Sequence, residues 1–304
     1  MRNTPDVIFP YLGIEVPILE REAFNIFGLS VYWYGVFVVL GILAGICAPW
    51  YMAKRDVLHA GKRSGSPITP EQVLDFAFVV IPLALIGTRL YYVISMWGQY
   101  KDNLLSIFDI RSGGLAIHGA IISALLTAVV YARVKKFSFL RLTDVCIIGL
   151  PIGQAIGRWG NFVNQEVFGG FTNGPFAMCY KLEAVDAAHV TAEMLDNLYV
   201  LGGQSYVQVH PTFLYESLWS LATFVILLLY FNRRKFNGEL LAGYLFLYGI
   251  GRFWIEGLRT DQLKFFDTNI PSAQVLSVLM VLGSLAFIIV RHVQVRREGT
   301  GASA

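Results

Sequence analysis

The residues best suited to chemistry in this 304-residue chain sit where a membrane protein would ordinarily carry none. Gly157–Gly169 reads GRWGNFVNQEVFG, in which an arginine, two asparagines, a glutamine and a glutamate close an apolar run. Membrane-spanning helices avoid such groups, because each costs on the order of kilocalories at membrane depth unless it finds a partner or water. Further ionisable residues interrupt other apolar runs: Arg89, His118, Glu216, Arg252 and Glu256, with Tyr34 at the start of the first. A guanidinium is a permanently charged, planar fork suited to bidentate phosphate recognition. Arg158 and Arg252 therefore point to an anionic phospholipid head group. The competing reading pairs each with a carboxylate such as Glu166 or Glu256 and gives it only the task of tying helices together. Asn161 and Asn164 either donate amide hydrogen bonds to phosphate or glycerol, or satisfy backbone exposed where the helix ends. His118, in SGGLAIHGA, is a candidate proton acceptor, since imidazole ordinarily titrates near about pH 6.5; the competing reading is a structural histidine. Gly113-Gly114 and Gly119 beside it permit tight turns and close backbone approach.

These side chains must be positioned by helices that cross a bilayer. The chain is 55% hydrophobic and 15% charged, against about 25% charged in a typical soluble domain. Seven apolar runs are long enough to span: about 29–51, 72–95, 116–134, 144–162, 211–231, 240–257 and 271–290. Thr69-Pro70-Glu71, His210-Pro211 and Asn269 with Pro271 mark the starts of the second, fifth and seventh. Fourteen lysines and arginines follow the odd-numbered spans, Lys54, Lys62, Arg63 and Arg133 among them, whereas seven lie on the other side, including Arg2 and Arg111. The positive-inside rule then puts the N-terminus outside and the C-terminus in the cytoplasm. In that orientation Arg89, His118, Arg158, Glu216, Arg252 and Glu256 gather at the outer ends, and Asp75 and Asp144 at the inner ones. The longest connection, about 163–209, becomes a small extracytoplasmic head of mixed structure. The expected fold is an all-α polytopic membrane protein whose single transmembrane domain covers 1–304. Gly149, Gly153 and Gly157, spaced by four, suit close helix packing. Cys47, Cys146 and Cys179 form no disulfide framework; Cys179 falls in a polar loop where it could react. The tail Glu298–Ala304 reads as a frayed end.

Several classes fit poorly. An intramembrane protease needs a Ser/His, paired-Asp or HExxH arrangement, and none is present. An anionic-lipid or anion transporter is the main rival, but it would place its binding groups near the midplane, often between repeated halves. No segment calls for a nucleic-acid partner.

The same segments resemble the prolipoprotein diacylglyceryl transferase family. GRWGNFVNQEVFG is similar to the family signature. Tyr32-Trp33-Tyr34-Gly35, Gly87-Thr88-Arg89, Gly114–Gly119, His210-Pro211-Thr212 with Leu214-Tyr215-Glu216, and Tyr248 through Arg252 to Glu256 and Arg259 look like family segments in family order. The resemblance covers about residues 28–290; Phe213 departs from it, standing where a glutamine is often expected. It implies a bacterial cytoplasmic-membrane enzyme with its active site toward the outer leaflet and no metal or other cofactor. Such an enzyme transfers the diacylglyceryl group of phosphatidylglycerol to the thiol of the lipobox cysteine in a prolipoprotein signal peptide. A thioether forms and glycerol phosphate is released. Family functional positions fall on His118, Arg158, Asn161, Glu166, Tyr248 and Arg252, and on Tyr34. The mechanism this implies has Arg158 and Arg252 on the phosphate and Glu166 and Glu256 orienting them. Asn161 and Tyr248 hold the head group, and His118 takes the thiol proton. An arginine-stabilised thiolate that needs no histidine is the alternative.

Overall fold

A computed structural model describes residues 4–58, 66–109, 113–265 and 268–301. Arg2, Lys62, Arg63 and Arg111 of the charge tally lie outside the described residues. Strands β1 (Val7–Phe9), β2 (Ile14–Val16), β3 (Glu22–Ile26) and β4 (Leu29–Tyr32) precede helix α1 (Trp33–Leu58). Helices α2 (Pro70–Ser95), α3 (Trp97–Tyr100), α4 (Ile117–Val134), α5 (Phe139–Cys146) and α6 (Gly149–Asn164) follow. The chain continues through β5 (Met178–Lys181), α7 (Ala192–Asp196), β6 (Tyr199–Leu201) and β7 (Gln204–Val209). It ends with α8 (Thr212–Tyr230), α9 (Glu239–Glu256) and α10 (Ser272–Gly301).

Six helical stretches among the described residues are long and apolar enough to cross a membrane: α1, α2, α4, α5 with α6, α8 and α10. The protein is a mostly helical, multi-pass membrane protein. The seventh expected span corresponds to α9, 18 residues long, in which Glu239, Arg252 and Glu256 interrupt the apolar run. The helix-start signals hold: Thr69 forms a capping box with Gln72 ahead of α2, and α8 and α10 begin directly after Pro211 and Pro271. The first span starts later than expected. Leu29–Tyr32 is a strand, because Phe27 and Gly28 turn at φ 50° and 83° and fold it back on Glu22–Ile26. The tail read as frayed is helical as far as Gly301.

The chain divides into two compact units, one running through Gly45 and resuming at Ile148, the other Ile46–Ile147. In the second unit, Arg89 is 7% exposed. Its Nε donates to Ile107 O (2.7 Å), Nη1 to Gly113 O and Gly114 O (2.9 and 3.0 Å), and Nη2 to Ser106 O and Asp109 O (both 2.8 Å). All five donors of the fork are thus spent on backbone. Gly113 and Gly114 turn at φ 91° and 73°, and a Cβ on Gly114 would lie 2.5 Å from Arg89 Nη1. Arg89, expected among the ligand-facing polar groups, is instead the clamp that shapes the connection ahead of α4. Deeper in the same unit, Arg141 and Asp56 form a fully buried ion pair at 3.0 Å, and Asp56 also accepts from Ile68 N.

In the first unit a five-stranded antiparallel sheet, ordered β2-β1-β5-β7-β6, forms the head. The chain is therefore not purely α, and the head is not confined to 163–209, since β1 and β2 come from before the first helix. Asp6 staples them in place, accepting from Lys181 Nζ and Leu19 N, both at 2.7 Å. Burial alone would push the Asp6 carboxyl up, but these bonds and the Lys181 charge hold it below its ordinary value. Cys179 sits in β5 with no exposed surface, and burial pushes its thiol up to about 12. Cys179, placed by sequence in a polar loop where it could react, is thus an inert core residue. α6 packs on α8, α8 on α9 and α9 on α10. Gly149 and Gly153 meet Gly45 and Gly41 of α1 at backbone contact, as their spacing predicts, whereas Gly157 has nothing within 4 Å of its would-be Cβ.

Replacing Arg89 by Lys leaves at most three donors for five carbonyls, and each buried carbonyl left unpaired costs about 1–3 kcal/mol. The Arg89→Lys protein should melt several degrees lower and show faster amide exchange across Asn103–Asp109; unchanged exchange there would contradict the clamp.

Candidate functional site

The signature segment divides its residues between two environments. Phe162, Val163 and Phe168 enter the apolar core of the head with Val7, Phe9 and Met178. Asn161, Asn164 and Glu166 turn the other way. The helix stops because Gln165 is left-handed (φ 57°, ψ 44°), with Gln165 N and Glu166 N donating to Phe162 O and Asn161 O. The next residues are threaded between α8 and the turn after α9: Gly169 N donates to His210 O (3.0 Å) and Gly170 N to Leu258 O (2.8 Å). A Cβ on Gly169 would lie 2.7 Å from His210 Cβ, so glycine is required there by close approach. Phe213, the departure from the family pattern, is buried against Phe162 and Trp159 with ring centroids 4.7 and 5.5 Å away. It fills a gap in the core where a glutamine would need a partner.

Three helices bring the charged residues together. α8 runs antiparallel to α6, since Ser217 Oγ donates to Ala155 O and Phe213 meets Trp159. It is antiparallel to α9 as well, since Trp219 Nε1 donates to Leu247 O and Tyr215 meets Trp254. Glu216 of α8 consequently lies between Arg158 of α6 and Arg252 of α9. Its Oε2 contacts Arg158 Nε, and its Oε1 accepts from Arg252 Nη1 at 3.1 Å and lies 3.8 Å from Arg259 Nη1. Arg252 Nη2 also meets Glu256 Oε2 at 2.6 Å. Arg259 closes on Asp261 through two parallel bonds, Nε–Oδ1 at 2.8 Å and Nη2–Oδ2 at 2.5 Å. The six side chains expose between 4% and 27% of their surface. Three guanidinium groups and three carboxylates alternate, so charge is balanced and no ion is buried alone.

The expected site residues are distributed unevenly over this network. Arg158, Arg252 and Glu256 belong to it directly. Glu166 does not touch either arginine: Asn161 and Asn164 donate to its Oε1 at 2.8 and 3.3 Å. Asn161 Oδ1 in turn accepts from Arg158 Nη1 at 3.3 Å, so Glu166 orients Arg158 only through Asn161. The two amides thus hold a carboxylate rather than capping the helix, and Arg21 Nη2 takes Asn164 O at 3.1 Å. Tyr248 stacks on Tyr244 (5.6 Å) and lines a cleft beside Arg158, Glu216 and Arg252. Tyr34 packs its ring against Gly160 of α6. His118 belongs to the second unit, in the first turn of α4, with its ring stacked on Tyr91 at 5.7 Å. Sequence reasoning placed Glu216 among the outer polar groups without giving it a role, and it left Arg259 and Asp261 out of the site. The alternation Arg252, Glu256, Arg259 at helical spacing was the signal for Arg259; nothing local marked Glu216 as the hub.

The helices and this buried, arginine-centred network define a multi-pass membrane protein with a charge-balanced polar cluster among its helices. The family model described as prolipoprotein diacylglyceryl transferase matches residues 21–290. The phosphatidylglycerol--prolipoprotein diacylglyceryl transferase of Clostridioides difficile (strain 630) is 38% identical over 92% of this chain and 97% of its own length. The proteins of that name from Bacillus cytotoxicus and Halalkalibacterium halodurans are 41% and 42% identical, over 91% and 88% of this chain and 94% and 84% of their own. This chain belongs to the prolipoprotein diacylglyceryl transferase family.

Beyond the end of α9, burial raises the Asp261 carboxyl, but the hydrogen bonds and charge of Arg259 outweigh it and hold the group below its ordinary value. Its contribution to stability is therefore full above about pH 4 and is lost as the pH falls through the folded value. Asp261→Asn should destabilise the protein at neutral pH, with the gap to wild type closing below about pH 4. A gap independent of pH in thermal melts would contradict this pairing.

Proposed function

We propose that this chain transfers the diacylglyceryl group of phosphatidylglycerol to the lipobox cysteine thiol of prolipoprotein signal peptides. The observation that carries the reading is the convergence of Arg158 and Arg252 on the two oxygens of one carboxylate, Glu216. A phosphodiester presents the same paired oxygens and the same single charge, so it can take both forks in the carboxylate's place. Glu256 keeps Arg252 aimed while it does so, and Glu166 supports Arg158 through Asn161. Asn161, Tyr248 and Tyr34 complete the lipid site.

In the reaction the acceptor sulfur attacks the glyceryl carbon bonded to the phosphate oxygen. The C–S bond forms, the C–O bond breaks, and its electron pair leaves on glycerol phosphate, whose charge grows from one to two. Arg158 and Arg252 are bound more tightly by that growing charge than by the starting diester, which is the condition for lowering a barrier. The thiol is ordinarily only a few per cent ionised at neutral pH, and His118 accepts its proton.

The membrane arrangement belongs to the same reading. α9 is the seventh span, tolerated despite its charges because each is paired, and the whole chain acts as one transferase domain. The N-terminus and head lie outside, the C-terminus in the cytoplasm of a bacterial cell, and the site opens toward the outer leaflet of the cytoplasmic membrane. The excess of basic residues after the odd-numbered spans supports this orientation.

With phosphatidylglycerol vesicles and a lipobox peptide, Arg158→Gln and Arg252→Gln should each lower kcat/KM by about 10²–10³-fold; near-normal transfer by either folded variant would remove that residue from the mechanism. In the same assay His118→Gln should abolish the limb of the pH–rate profile near neutrality. A retained limb would leave the arginine-stabilised thiolate in its place.

A further inference from the structure

The charged layer is one of two. On α6, Gln154 lies four residues before Arg158; on α8, Ser220 lies four after Glu216; on α9, Tyr248 lies four before Arg252. Because α8 runs opposite to α6 and α9, all three steps go the same way, by about 6 Å. That direction is away from the head, which joins α6 at its C-terminal end and α8 at its N-terminal end. Gln154, Ser220 and Tyr248 line one open cleft with Arg158, Glu216 and Arg252, whose free volume is about 20 Å³, room for about one water molecule while the arginines are closed on Glu216. Gln154 is held in place: its Nε2 donates to Tyr244 Oη at 2.9 Å, and Tyr244 stacks on Tyr248. An amide and two hydroxyls inside apolar helices are costly unless they meet a polar partner.

We infer that Gln154, Ser220 and Tyr248 form a subsite for the ester carbonyls of the lipid donor. This rests on the reading that Arg158 and Arg252 hold the phosphate. With the phosphate fixed there, the two halves of the lipid leave in opposite directions. The head-group glycerol extends toward Asn161 and Glu166, on the head side of Arg158. The diacylglyceryl half extends toward the helix interiors. Its ester groups follow the phosphate by a few bonds of about 1.5 Å each, which matches the spacing of the layers. Ester carbonyls only accept hydrogen bonds, and an amide N–H and two O–H groups are donors that suit them. Tyr248 is thereby moved from the head group to the diacylglyceryl side. The subsite positions the glyceryl carbon for attack, and it distinguishes ester-linked from ether-linked lipids, which keep the phosphate but lose the carbonyls.

The test compares phosphatidylglycerol with its dialkyl-ether analogue in the full-length protein, using a lipobox peptide as acceptor, for wild type, Ser220→Ala and Gln154→Met. Wild type should favour the diester by about tenfold in kcat/KM, and each variant should cut that ratio by about three- to tenfold. A wild-type ratio near one, or variants that slow both lipids alike, would overturn the subsite. So would variants that keep the ester preference but lose discrimination against phosphatidylmethanol, which lacks the head-group hydroxyls. Arg158→Gln separates the two claims, since it should slow diester and diether equally. Full activity in that variant sinks the phosphate reading, whereas the ester-to-ether ratio alone decides the subsite.

Discussion

One carboxylate surrounded by guanidinium groups holds the site in shape. Glu216 touches Arg158 and Arg252 and stands near Arg259, three cations that would repel one another if they were left facing across an apolar interior. Removing a charged group from water costs several kcal/mol even after relaxation, and only close pairing recovers it. The alternation of Arg158, Glu216, Arg252, Glu256, Arg259 and Asp261 meets that condition within a small volume. It also leaves an array of donors already oriented before any ligand arrives. Orientation that exists before binding need not be created during the reaction, which is what gives fixed dipoles and charges their catalytic effect.

The surrounding fold maintains that array. α6, α8 and α9 are close enough for their charged turns to meet because small residues and flat aromatic rings sit at their contacts. The signature segment is fixed at both ends, by Phe162 and Phe168 in the head core and by the backbone bonds of Gly169 and Gly170 to α8 and to the turn after α9. The head anchors the end of α6 and the start of α8, and so sets the height at which Arg158 and Glu216 face each other. In the second unit Arg89 does a comparable structural task with main-chain carbonyls and the face of Tyr100.

Helix starts were legible in the sequence because caps are local: Thr69 with Gln72, Pro211 and Pro271 each act within a turn. The arginines were legible because a guanidinium in an apolar run has few uses. Pairings between distant residues were not. Glu216 meets residues 58 positions before it and 36 after it, and no local pattern announces which cation it will find. Arg89 looked like a ligand-facing group because its five acceptors are main-chain carbonyls, which leave no trace in residue type. Glu166 was assigned to Arg158 directly, whereas an asparagine stands between them. The head was placed between the fourth and fifth spans because β1 and β2 are three residues each, too short to read as strands so far from their partner β5.

The central claim is that two guanidinium groups now closed on Glu216 open onto a lipid phosphate. A structure of the full chain with phosphatidylglycerol bound tests it most directly, through the distances from the phosphate oxygens to Arg158 and Arg252. The account predicts both forks within about 3.2 Å of those oxygens, with Glu216 withdrawn from at least one of them. A phosphate bound elsewhere, with Glu216 still bridging both arginines, would contradict it.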